Sequence, residues 1–160
     1  MFELPLLAGL VHCCFDIGIK VRSILCFGDS NSFGTMPVKA LGVGPSYALG
    51  IRWPDVMISH LPKWRIEVQS QPGRTTLHND PIEGAHLNGL RILPALLESY
   101  AQLDLVILKL GTNDLKTRFS VTAQDITQSC ERLIQEVLKV AKYENGHAPQ
   151  ILLICPPPIK

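Results

Sequence analysis

The chain reads as an α/β domain, a parallel sheet covered by helices on both faces. Three observations lead there. Four short runs, the apolar 21–27, 104–110 and 150–155 and the alternating 64–70, have strand length. Helix-period segments lie between them. The 160 residues are one domain's worth of chain, enough to bury a core without disulfides. Strand–helix–strand alternation at this spacing implies right-handed crossovers.

The elements follow in order. Residues 1–21 are a leader outside the domain of 22–160. Its start, "MFELPLLAGLVHCC", is apolar but has Glu3 where a signal peptide wants Lys or Arg. It is too short to span a bilayer. An extra helix or a disordered leader is expected there. "VRSILCF", 21–27, is a continuous apolar strand. Pro54 opens a short helix to Leu61, since proline suits a first helical turn. "WRIEVQS", 64–70, alternates Trp64, Ile66 and Val68 with Arg65, Glu67 and Gln69, a half-buried strand. A polar Gly/Pro-rich loop covers Gln71 to about Asn88. "LRILPALLESY" is helical, with Pro94 expected near the helix start. "DLVILKL", 104–110, is a strand buried on both faces. Thr122 and Asp125 resemble a capping box, with Asp in place of Glu or Gln. Ile126, Cys130, Leu133, Ile134, Val137, Leu138 and Ala141 then recur on one helix face, and Asn145-Gly146 ends it. "QILLIC", 150–155, is the fourth strand, closed by prolines.

A formal net charge of +1, with no Lys/Arg run, gives no electrostatic case for nucleic acid or an anionic membrane. The 5 cysteines, Cys13, Cys14, Cys26, Cys130 and Cys155, form no C-x-x-C pair. They read as thiols of a reducing, cytoplasmic compartment, and neither a metal site nor a cofactor is expected.

In such sheets the loops leaving the strands' carboxyl ends form the ligand crevice. Three loops do so before the last strand: "GDSNSFG", "QPGRTT" and "GTND". Each alone is ordinary turn chemistry. Together they put Ser30, Gly73 and Asn113 on one rim. A serine oxygen with backbone and amide donors around it suits acyl transfer, in which the serine attacks a carbonyl and the donors hold the oxyanion. A phosphate-binding loop is a weaker reading, because no Walker-type Lys-Ser/Thr follows. Asp29 and Asp114 are expected to accept hydrogen bonds from their own loops. With Arg74, they are also candidates for substrate contact.

In combination the chain resembles the SGNH hydrolases, or GDSL-type esterases and lipases. "FGDSNSFG", "QPGRTT" and "LGTND" match that family's first three blocks in order and spacing. "RWP" at 52–54, "HLNG" at 86–89, the run 99–114 and "ICPPP" resemble its arylesterase and acyltransferase branch. The resemblance implies a flavodoxin-like three-layer α/β/α sandwich and hydrolysis of a small-molecule ester without cofactor. It implies Ser30 as nucleophile, with the Ser30 and Gly73 N–H groups and the Asn113 side chain as oxyanion hole.

The family's Asp-x-x-His block, which supplies the general base, does not occur among these residues. The chain is expected to be truncated, its closing strand and helix missing and its esterase activity impaired. His78 and His86 lie in the loop after the second strand, on the correct rim, as surrogate candidates. His12, His60 and His147 have poor placement. A sheet ending at the fourth strand exposes an apolar edge, which allows a homo-oligomer through that edge. The alternative is an inactive relative that binds acyl or carbohydrate ligands.

Overall fold

A computed structural model describes residues 21–37, 44–100, 102–140 and 148–156. The leader through residue 20, Cys13, Cys14, His12, Ala141, the stop at Asn145-Gly146 and His147 lie outside the described residues. Four strands, β1 (Ser23–Gly28), β2 (Arg65–Ser70), β3 (Leu105–Lys109) and β4 (Gln150–Leu153), form one sheet in the order β2-β1-β3-β4. All three pairings are parallel, with Cys26 level with Val68 on one side and Ile107 on the other.

Side chains alternate across the central strands, as a pleat requires. Leu25 and Phe27 of β1 and Val106 and Leu108 of β3 pack with Leu93, Leu97, Leu133 and Val137. Ile24, Cys26 and Ile107 face the other way, toward Trp53 and Met57. The helices α3 (Gly89–Ser99) and α4 (Ala123–Val140) therefore cover one face, and α2 (Trp53–His60) covers the other. This is the three-layer sandwich of the flavodoxin type. The chain steps from β1 outward to β2, then back across β1 to β3. Crossovers of one hand must then place α2 opposite α3 and α4. The reversal lies between β1 and β3, and their carboxyl ends make the switch-point crevice.

The local rules hold in α2 and α4. Pro54 sits in the first turn of α2. The Thr122 amide and hydroxyl both donate to Asp125 Oδ2, at 2.7 and 2.6 Å, and the Asp125 amide donates back to Thr122 Oγ1 at 3.2 Å. Asp thus completes the capping box. Two expectations are corrected. Pro94 is not near a helix start, because α3 begins at Gly89 and carries Pro94 inside it. The Asn88 side chain caps α3, and its first amides, Gly89 and Leu90, donate to Thr75 and Thr76 carbonyls at 3.1 and 3.0 Å. An interior proline costs about 3 kcal/mol. Burying Leu93 and Leu97, at about 1.5–3 kcal/mol each, offsets it. Leu138, counted on the apolar face of α4, is 44% exposed, whereas Ser129 and Glu136 are buried. Glu136 is tolerated there through its ion pair with Arg132 at 2.7 Å.

The central strands are the core, whereas β4 leaves Leu152 and Leu153 exposed. Among the described residues no helix is long and apolar enough to cross a membrane.

Candidate active site

β1 runs without a break into a four-residue helix, α1 (Ser30–Phe33). Gly28 makes the turn possible. A Cβ there would lie 2.4 Å from Ser32 Oγ, so only glycine allows this approach. Asp29 caps α1: its side chain accepts from the Asn31 amide at 2.9 Å, and its carbonyl from the Ser32 and Phe33 amides. The Ser30 N–H is left without an acceptor among the described residues. Ser30, the first residue of α1, is partly exposed at the rim.

The turn after β2 is closed by the Arg74 amide donating to the Gln71 carbonyl at 3.2 Å. Gly73 sits in it with φ +84°, the left-handed region, where any other residue is strained. Its N–H also has no acceptor among the described residues. After β3, Asn113 opens a short 3-10 turn, Asn113–Leu115. Its side-chain amide donates to the Arg74 carbonyl at 3.0 Å, which spends one N–H and leaves the second.

Hydrogen bonds tie the three loops together. Asn113 binds the residue after Gly73. The Asn31 side chain, next to Ser30, donates to Thr112 Oγ1, next to Asn113, at 3.3 Å. The Gln71 amide and Arg74 Nη1 both donate to the Gly28 carbonyl, at 3.1 and 3.0 Å. Ser30, Gly73 and Asn113 are therefore neighbours at the carboxyl rim of β1, β2 and β3.

The other three candidates are buried and turned inward. Arg74 is 4% exposed; it donates to the Gln69 and Gly28 carbonyls and lies over the Phe27 ring at 4.3 Å. Burial lowers its pKa to about 10, with the charge of Asp29 acting against the shift. Asp29 is 1% exposed; burial pushes its carboxyl above the ordinary value, and the two Asn31 donors pull the other way. Asp114 is fully buried. The expectation that it serves its own loop is corrected. It accepts from the Thr76 amide at 3.0 Å, the Thr76 hydroxyl at 2.6 Å and His78 Nδ1 at 2.8 Å, all across the rim. All three are buried, and the contacts they make among the described residues are within the protein. Their polar groups hold the loops.

His78 keeps 26% of its side chain exposed, with its Nδ1 committed to Asp114 and its ring 5.2 Å from that of Phe119. His86 is exposed in the 3-10 turn Ala85–Leu87. His60 ends α2 at the opposite rim, just before β2. Sequence reasoning passed over Asn31 and Thr76, which join the loops, and the charged set Asp80, Glu83, Lys116 and Arg118. Two acids in one rim loop facing two bases in the next were the available signal. Among the described residues no group of three or more His, Cys, Asp or Glu could hold a metal ion.

Known proteins share the fold. A carbohydrate acetylesterase from Sinorhizobium meliloti, Est24, superposes with TM-score 0.79 at 39% identity, over 86% of this chain and 65% of that one. An aryl esterase of M. smegmatis, in inhibitor-bound form, gives TM-score 0.78 at 35% identity, over 86% and 65%. A putative arylesterase from Agrobacterium tumefaciens gives 0.72 at 33%, over 82% and 62%. The chain thus spans slightly less than two thirds of these relatives. Comparison with curated proteins gave no match. The sequence profile of the GDSL-like lipase/acylhydrolases matches residues 24–160, and the chain belongs to that family.

Proposed function

We propose that this chain carries the nucleophile and the oxyanion hole of a serine ester hydrolase acting on carboxylic esters. The observation that carries the reading is the hydrogen-bonded convergence of three rim loops around Ser30, Gly73 and Asn113. The Ser30 oxygen attacks the ester carbonyl. The carbonyl oxygen becomes an oxyanion and takes hydrogen bonds from the Ser30 N–H, the Gly73 N–H and the free N–H of Asn113. Collapse expels the alcohol and leaves an acyl-serine, which water then hydrolyses. The three neighbours named as esterases support an ester as substrate.

The attacking serine must lose its proton, and the 160 residues contain no Asp-x-x-His to take it. That fact favours a second reading in which the 160 residues bind an acyl or carbohydrate ligand without turning it over. Hydrolysis of p-nitrophenyl acetate separates the two. The 160-residue chain should work near background, because triad removal elsewhere leaves only modest catalysis. Supplying a carboxyl-terminal segment with Asp-x-x-His should raise the rate by orders of magnitude. That rate should vanish in Ser30→Ala and fall about 10²–10³-fold in Asn113→Ala. No gain, or a gain indifferent to Ser30, rejects the hydrolase reading. Strong Ser30-dependent turnover without the segment means a surrogate base, and His78→Ala and His86→Ala would identify it.

A further inference from the structure

Beside the candidate site lies a charged cluster that the proposed chemistry does not use. Asp80, with its side chain fully buried, accepts from the Ile82 and Glu83 amides at 2.9 and 3.0 Å. Its other oxygen accepts from Lys116 Nζ at 3.2 Å and from Arg118 Nη2 at 2.7 Å. Glu83 Oε1 accepts from the same Lys116 at 2.8 Å and from Arg118. Two acids from the loop after β2 thus grip two bases from the loop after β3.

Each half of the cluster touches one oxyanion donor. On the acid side, Glu83 and Leu87 close over Gly73. A Cβ on Gly73 would stand 3.1 Å from Glu83 Oε2 and 3.1 Å from Leu87 Cδ1. On the basic side, the Lys116 amide donates to the Asn113 carbonyl at 3.3 Å, closing the turn that Asn113 opens. The bond from Asn113 to the Arg74 carbonyl joins the halves from the site side. The cluster joins them from the other.

We propose that Asp80, acting through Glu83, Lys116 and Arg118, is a positioning residue that sets the spacing of the Gly73 and Asn113 donors. The inference rests on the esterase reading for its consequence but not for its geometry. Bonds to an ionised buried acceptor are stronger than neutral ones, and an oxyanion donor works only within a few tenths of an ångström of its place. Asp80 is suited to the task because it is buried and saturated with donors. Glu83 is 45% exposed and serves as the pad against Gly73.

Two variants test it, Asp80→Asn and, because burial could make that one unfold, the more exposed Lys116→Gln. Nuclear magnetic resonance of the chain follows the Gly73 amide and the Asn113 side-chain NH₂. Both should shift and broaden in a folded variant, although neither residue is substituted. In the protein supplied with the Asp-x-x-His segment, kcat for p-nitrophenyl acetate should fall about tenfold with KM within about twofold, since a displaced donor acts in the transition state. The Lys116→Gln loss should be smaller in an Asn113→Ala background, where only the Gly73 donor is left to displace. Unmoved Gly73 and Asn113 resonances in a folded Lys116→Gln protein would overturn the proposal. So would an equal kcat loss in both backgrounds. If no Ser30-dependent turnover exists at all, the hydrolase reading fails, and the resonances alone decide the clamp.

Discussion

Replacing Asp114 with alanine should destabilise the chain more than any surface change, because the carboxylate is fully buried and holds two loops. It accepts from the Thr76 amide, the Thr76 hydroxyl and His78 Nδ1, at 3.0, 2.6 and 2.8 Å. Hydrogen bonds to a charged acceptor contribute about 1.5–3 kcal/mol each, and a donor left buried and unpaired costs about 1–3 kcal/mol. These terms overlap, since Thr76 supplies two of the bonds and His78 can turn to water. After that overlap, the lost bonds and the buried Thr76 donors left unpaired come to about 3–5 kcal/mol, which is the expected loss here. At a urea slope of about 2 kcal/mol/M, the unfolding midpoint falls by about 2 M. Asp114→Asn keeps an acceptor but sets an amide where only acceptors fit, so it should lie between the parent and Asp114→Ala. His78→Ala removes one half-exposed bond and should cost about 1 kcal/mol. Equilibrium urea unfolding followed by circular dichroism and by tryptophan fluorescence gives the midpoints. An Asp114→Ala protein within 1 kcal/mol of the parent would refute the view that Asp114 binds the loops together.

Gly73→Ala should cost about 1–2 kcal/mol for its left-handed φ of +84°, and should also displace the Gly73 N–H; the urea midpoint reads the first effect and ester turnover the second. Asp29→Asn should keep the Asn31 bonds to Oδ1 and relieve a buried charge whose second oxygen has no hydrogen-bond partner among the described residues; stability at pH 7 equal to or above the parent's is expected, and a clear loss at pH 7 would contradict it. In Asp80, burial raises the carboxyl's pKa, but Arg118, the Glu83 and Ile82 amides and Lys116 together draw it far below the usual carboxylate range. Its stabilisation is therefore complete above the unfolded value, near pH 4, and is lost as the pH falls below it. Acid unfolding should accordingly be less steep in Asp80→Asn than in the parent. Of Cys26, Cys130 and Cys155, the exposed Cys155 should react first with a thiol reagent; burial lifts Cys26 to about 12 and Cys130 to about 11, and peptide mapping gives the order.

The amino-acid order determined the fold class because its signals are local. The runs at β1 and β3 are apolar over Ile24–Phe27 and Leu105–Leu108, so both faces had to be covered, and the capping box at Thr122 needed nothing beyond four residues. The rim followed from the same order, since strand exits in a parallel sheet share one end. Pro94 escaped that logic. Its local cost was outweighed by Leu93 and Leu97 in the core and by the Thr75 and Thr76 carbonyls that accept the first α3 amides. Partners were the larger gap. A sequence marks Asp29, Arg74 and Asp114 as polar residues in functional loops, which fits substrate contact as well as support. Only the tertiary structure turned Arg74 onto Phe27 and backbone carbonyls, and gave Asp114 to Thr76 and His78 rather than to its own turn. The clamp from Asp80 and Glu83 to Lys116 and Arg118 was likewise decided in three dimensions, because its members come from loops more than 30 residues apart. Hydrogen bonds and ion pairs act over about 3 Å. Which residues come within that reach is set by how the strands stack, and no local pattern records it.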